Sequence, residues 1–163
     1  MKIYGVTGWK NSGKTGLVER LVSEFTTRGF SVSTIKHAHH DFDVDRSGKD
    51  SYRHREAGAR EVLLSSRKRF ALMHELRGNY EPSLEMLLAK LAPVDLVLIE
   101  GFKRDRHPKI ETYRDVTKND LIAKHDPTIH AVASDVCITI DRPVFDLDDT
   151  AGIANFIAEE IAL

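Results

Sequence analysis

Short apolar runs alternate along this chain with segments whose apolar residues recur every three or four positions. The first pattern suits strands and the second suits helices that bury one face. Lys2 to Thr7 (KIYGVT) reads as a buried strand. Leu17, Val18, Leu21, Val22 and Phe25 then repeat at helical spacing. That helix should end near Arg28, with Gly29 just beyond it. Phe30 to Lys36 alternates and is rich in Val, Thr and Ile, so it predicts a second strand. A short helix is expected over Gly48 to Ala57, capped by Ser47 and ended by Gly58. Arg60 to Ser65 and Phe70 to His74 predict a hairpin turning at Arg67-Lys68-Arg69. Glu81-Pro82-Ser83 opens a helix with Leu84, Leu87, Leu88 and Leu91 on one face. Val94 to Ile99 is the most apolar strand and should lie centrally. Ile110 to Tyr113, Ile129 to Ala133 and Val136 to Ile140 read as further strands. Thr150 to Ala162 is the last helix, burying Ile153, Phe156, Ile157 and Ile161. The alternation predicts an α/β fold: a mostly parallel sheet flanked by helices on both faces, with an antiparallel hairpin extension.

The totals change this picture little. At 163 residues one domain is expected. The net charge of -1 offers no global attraction for nucleic acid or membranes. The single cysteine, Cys137, excludes an intramolecular disulfide, and its apolar run (VCITI) suggests a small buried hydrophobe. No apolar run approaches the ~20 residues of a membrane span. Met1-Lys2 leads straight into a strand with no signal-peptide core, so the chain is expected in the cytoplasm.

Between the first strand and first helix stands Gly8-Trp9-Lys10-Asn11-Ser12-Gly13-Lys14-Thr15. This is the G-x-x-x-x-G-K-T spacing of a P-loop, in the strand-to-helix context that makes the motif informative. Gly8 and Gly13 let the backbone turn tightly and approach an anion. The loop's backbone N–H groups and the helix N-terminus then point at one place, forming an anion site. Lys14 is placed to reach β/γ-phosphates, and the Thr15 hydroxyl suits Mg²⁺.

A P-loop site needs an acid at the carboxyl end of a neighbouring strand, and Glu100 stands there. Two roles remain open for it: a metal ligand acting through water, or a group orienting an attacking water. Asp95 lies at the opposite end of that strand, ~16 Å away, and better serves the strand start. His37, His39, His40, Asp41, Asp43 and Asp45 crowd the loop after the second strand. They suit a crevice loop facing a nucleotide or substrate, a transition-metal site, or a merely solvated loop. Asp41 is the candidate water-activating or Mg²⁺-associated carboxylate. Lys49, Arg53, Arg55 and Arg60, and then Lys103, Arg104 and Arg106, follow strand ends. They suit a phosphorylated second ligand or a solvated face. Asp135 follows a strand end, where a carboxylate can accept from guanine N1–H and N2–H; it is equally an ordinary acid in a turn.

The P-loop GWKNSGKT, the stretch from Ile35 to Ala59 (IKHAHHDFDVDRSGKDSYRHREAGA), VLIEGFK (Val97 to Lys103) and AVASD (Ala131 to Asp135) together resemble the molybdopterin-guanine dinucleotide biosynthesis protein B family. The resemblance covers nearly the whole chain. It implies a P-loop GTP-binding protein, often a homodimer, with weak GTPase activity. Such a protein assists a nucleotidyltransferase that joins molybdopterin, or its molybdenum-loaded form, to GMP. Asn11 to Thr15 would then bind GTP phosphates, and Thr15 and Glu100 would serve Mg²⁺. Asp45, Lys49, Arg53 and Arg55, with Lys103, would face the second ligand or the partner.

Two other functions fit parts of the same pattern. A small-molecule kinase would use the basic groups for its acceptor and Asp41 as base, although no separate lid segment is evident. A metallochaperone GTPase would use His37, His39 and His40. No arginine finger is identifiable, so slow intrinsic hydrolysis is expected; a supplied arginine contributes ~10³–10⁵ in rate.

Overall fold

The computed structural model describes residues 1–38 and 42–163. The chain divides into two compact units, one comprising Met1–His37 with Leu84–Leu163, the other Ala38–Ser83.

The first unit is built on a six-stranded sheet. Its strands are β1 (Lys2–Thr7), β2 (Val32–Lys36), β5 (Leu96–Glu100), β6 (Lys109–Tyr113), β7 (Ile129–Ser134) and β8 (Val144–Asp146). They are ordered β2-β5-β1-β6-β7-β8. Every neighbouring pair is parallel. All carboxyl ends therefore lie along one edge, where open α/β sheets bind ligands. Helices α1 (Lys14–Thr27) and α4 (Thr150–Ile161) lie on one face, and a short α3 (Leu84–Leu88) packs with the other.

The pleat explains why β5 is apolar at nearly every position. Leu96 and Leu98 join Tyr4, Val6, Leu17, Leu21 and Ile153 in one core cluster. Val97 and Ile99 point the other way, toward Leu84, Leu87, Leu88 and Leu91. A strand covered on both faces needs apolar residues at both parities. Asp95 sits just before this strand and accepts hydrogen bonds from the Ser31 amide and hydroxyl. Those bonds hold its carboxyl below the usual range, and they tie the starts of β2 and β5 together.

The second unit contains α2 (Asp50–Glu56) and the antiparallel strands β3 (Glu61–Ser65) and β4 (Phe70–His74). The hairpin forms its own two-stranded sheet and adds no strand to the parallel one. Helix α2 starts later than expected. Lys49 is its N-cap, without a side-chain bond, and Ser47 does not cap it. The Lys49 amide instead closes a turn on the Arg46 carbonyl, which delays the helix by two residues.

Two further expectations are corrected. Val136 to Ile140 is not a strand; the sixth position in the sheet goes to Val144–Asp146, which pairs with Val132, Ala133 and Ser134. Ile138 and Ile140 pack instead against the cluster of Leu121, Ala123, Ile129 and Val132. Cys137, just before them, is exposed rather than buried. Alternation along an irregular segment turns two isoleucines inward and the thiol outward.

Candidate nucleotide site

The loop between β1 and α1 takes the shape its glycines permit. Gly8 has φ 143°, and a Cβ there would come within 2.5 Å of the Thr112 carbonyl oxygen. Gly13 has φ 99°, and Asn11 joins it in the left-handed region at φ 64°. A non-glycine residue in that region reflects a conformation imposed by its surroundings, common at ligand sites. Ser12 is buried, and its hydroxyl pairs with that of Thr112 at 2.7 Å. That contact ties the loop to β6, and the Ser12 amide bonds the Trp9 carbonyl. Ser12 thus serves to hold the loop's shape. Asn11, Gly13, Lys14, Thr15, Gly16 and Arg114 line a cleft of about 490 Å³.

Lys14 Nζ donates to the Trp9 carbonyl at 2.7 Å, curled along its own loop. Burial lowers its pKa, and the nearby charge of Lys103 lowers it further. Lys103 places its ammonium over the Trp9 ring, 4.3 Å from the centroid, while the Trp9 indole N–H donates to the Asp120 carbonyl at 2.7 Å. Lys103, read from the sequence as a second-ligand group, therefore stands beside the P-loop.

Glu100 closes the other side. Its carboxyl accepts a hydrogen bond of 2.9 Å from the Thr15 hydroxyl. Lys36 Nζ lies 3.2 Å from the same carboxylate oxygen and 3.4 Å from Thr15 Oγ1. Lys36 went unnoticed in the sequence. The signal was available in its position as the last residue of β2, which the parallel register pairs with Glu100. Thr15 and Glu100 offer a hydroxyl and a carboxylate, hard oxygen donors that fit Mg²⁺. Arg114, immediately after β6, was also missed.

Asp135 is exposed just after β7, and its carboxylate accepts from the Asp115 amide at 2.9 Å. That places it at the carboxyl edge of the sheet, two strands from the P-loop strand.

The remaining sequence candidates belong to the other unit. Arg55 is enclosed by Asp43, Asp45 and Glu75, at 2.9, 2.5 and 3.1 Å, and stacks on the Tyr52 ring. The Asp45 side chain is only 4% exposed, and Arg55 holds its carboxyl below the usual carboxylate range. Asp45 and Arg55 thus pair with each other. Lys49 and Arg53 are exposed. Asp41, with His39 and His40, lies outside the described residues, so its expected role has no structural counterpart here. Among the described residues no group of three His, Cys, Asp or Glu side chains gathers to hold a metal.

A parallel sheet with a G-x-x-x-x-G-K-T loop between its central strand and the following helix, and a strand-end acid bonded to the loop threonine, defines a P-loop α/β protein. The family model of MobB, molybdopterin guanine dinucleotide synthesis protein B, matches residues 3–135. The chain belongs to the MobB family. It is 39% identical over 162 residues to the molybdopterin-guanine dinucleotide biosynthesis adapter protein of Escherichia coli, covering 96% of this chain and 91% of that one. It is 40% identical over 157 residues to the adapter protein of the same description from Haemophilus influenzae, covering 95% and 86%. Among solved structures, the MobB homolog from Bacillus stearothermophilus superposes with a TM-score of 0.73 at 28% identity, over 99% of both chains. The resemblance drawn from the sequence motifs is borne out.

Proposed function

We propose that this chain is a GTP-binding adapter of molybdenum cofactor maturation. It would assist the nucleotidyltransferase that converts molybdopterin, or its molybdenum-loaded form, to molybdopterin guanine dinucleotide. The observation that carries the nucleotide half is the 2.9 Å bond between Thr15 and Glu100 at the mouth of a P-loop. Family membership carries the pathway half. In this reading the backbone of Asn11 to Thr15 and the Lys14 ammonium hold the phosphates. Thr15 and Glu100 would hold Mg²⁺, which when bound would neutralise phosphate charge. Lys36, 3.2 Å from the Glu100 carboxylate, holds it in orientation. Asp135 accepts from the guanine edge.

Hydrolysis is slow in this reading, and the protein acts by occupancy of its site. It works in the cytoplasm; among the described residues no helix is long and apolar enough to cross a membrane. A homodimer is supported by one face of the hairpin, where Leu63, Phe70 and Leu72 are 59%, 72% and 47% exposed. An isolated two-stranded sheet is marginally stable in water, so a second copy covering that face would strengthen it.

The test is calorimetric titration of the protein with GTP and then ATP in the presence of Mg²⁺, repeated for Asp135→Ala. A GTP preference that collapses in the variant supports the reading. Equal affinity for both nucleotides removes Asp135 from the site and weakens the case for a guanine nucleotide. Association with the nucleotidyltransferase is measured separately, by sedimentation of the mixture with and without GTP.

A further inference from the structure

Arg114 is the cleft-lining side chain that the P-loop motif does not supply. A Cβ built on Gly13 would meet its Nε at 3.3 Å and its Cζ at 3.6 Å. The guanidinium therefore lies against the loop at the residue before Lys14. The backbone beneath it is held on both sides. Tyr113 is in β6, the Asp115 amide bonds Asp135, and the Arg114 carbonyl accepts from the amide and hydroxyl of Thr117 at 3.0 and 2.8 Å. The nearby carboxylates have other partners: Asp115 pairs with Lys118 at 2.5 Å. Among the described residues the Arg114 guanidinium has no ion pair or hydrogen bond of its own. A cation with five N–H donors is thus held in a P-loop cleft by its backbone alone.

Strand order decides which part of a nucleotide it meets. Glu100, Lys36 and Thr15 mark the metal side, on β5 and β2, to one side of β1. Arg114 directly follows β6, on the opposite side of β1, and Asp135 follows β7 one strand farther out. A nucleoside triphosphate with its metal-bound β- and γ-phosphates at Glu100 would run its sugar and base toward β6 and β7. The phosphate nearest the sugar then passes Arg114.

We propose that Arg114 binds the α-phosphate of the nucleotide, so that it supports GTP and GDP alike. This rests on the reading that the P-loop takes a guanine nucleotide.

The experiment titrates the 163-residue protein with GTP and with GDP, with Mg²⁺ present, following the fluorescence of Trp9, its single tryptophan, and calorimetry in parallel. For Arg114→Ala, GTP and GDP affinities should fall by a similar factor, about ten- to a hundredfold, as expected for the loss of a charge-assisted hydrogen bond. Arg114→Lys, which keeps the charge without the fork, should fall between the wild type and the alanine variant. The thermal midpoint of the nucleotide-free protein should not move, because the side chain supports no internal bond. Unchanged affinities in Arg114→Ala overturn the proposal. A loss confined to GTP also overturns it, since that assigns Arg114 to the terminal phosphate. An affinity loss that merely accompanies a lower midpoint overturns it as well, by showing a structural role. If the wild type binds neither nucleotide, the functional reading above fails instead, and the two failures are told apart by that control.

Discussion

The two compact units use their charged side chains in opposite ways. In the sheet unit, charges collect at the carboxyl edge, around a loop whose shape leaves an open cleft. Among the described residues Lys14 donates to a carbonyl of its own loop, and the Arg114 guanidinium in the cleft has no hydrogen bond or ion pair. In the hairpin unit, Arg55 is surrounded by three carboxylates and an aromatic ring. Arg55 and Arg114 are the same residue type with contrary environments. The first connects the loop of Asp43 and Asp45 to Glu75, just beyond β4, and helps a small unit cohere. The second lines the P-loop cleft beside Gly13, where an anion could meet it. A basic residue near a strand end therefore says little until its partners are known.

The sharpest way to break this contrast is Lys14→Ala. Truncating one partner of a desolvated charge pair costs about 2–5 kcal/mol. GTP affinity should therefore fall by at least about thirtyfold, with little change in the thermal midpoint. Unchanged calorimetric affinity would remove the phosphate assignment.

Arg55→Ala should do the reverse. Hydrogen-exchange protection over 61–74 should drop sharply, while protection over 96–100 and nucleotide affinity persist. The same unit carries an acid sensitivity of known sign. Arg55 depresses the Asp45 pKa in the folded state below the unfolded value of about 3.9. The stabilisation is thus present in full above that value and is lost as pH falls through the folded pKa. In Arg55→Ala this acid-dependent loss of protection should disappear.

A smaller effect belongs to the sheet unit. His107 is 7% exposed, and neither ring nitrogen has a hydrogen-bond partner among the described residues. Burial, helped by the Lys109 charge and opposed by Asp126, lowers its pKa to about 4. Between that value and about 6.5 the unfolded chain binds the extra proton and the folded chain does not. Stability should fall as pH drops through this window, by no more than about 1.4 kcal/mol per pH unit. Urea unfolding across that window, compared with His107→Phe, isolates the term; parallel curves for the two proteins would show that His107 does not contribute.

The mildest perturbation is at Cys137. The exposed thiol should react with a thiol reagent without denaturant, leaving GTP affinity unchanged. Protection until unfolding would place it back in a core.

The helix and strand signals that survived were those whose apolar residues had somewhere to pack. Leu17, Leu21 and Phe25 report α1 correctly because the sheet lies beneath them. Val136 to Ile140 carries an equally good strand signal and forms none. Hydrophobicity there reflects burial of Ile138 and Ile140, while the pairing edge of β7 is taken by Val144–Asp146. Lys36 and Arg114 escaped notice because a lysine or arginine at a strand end looks the same whether it meets solvent, a carboxylate or a loop.

The sequence by itself determined the P-loop motif, the strand before it and the helix after it. These depend on short-range sterics: glycine tolerates φ 99° at Gly13, and a 3.6-residue period turns α1's leucines to one side. The sequence pointed to Glu100 beside Thr15, but tertiary structure alone decided that Lys36 joins Glu100 and that Arg114 lies against Gly13. Those residues are far apart along the chain. Strand order and parallel register bring them to one edge, and nothing local in the sequence specifies either.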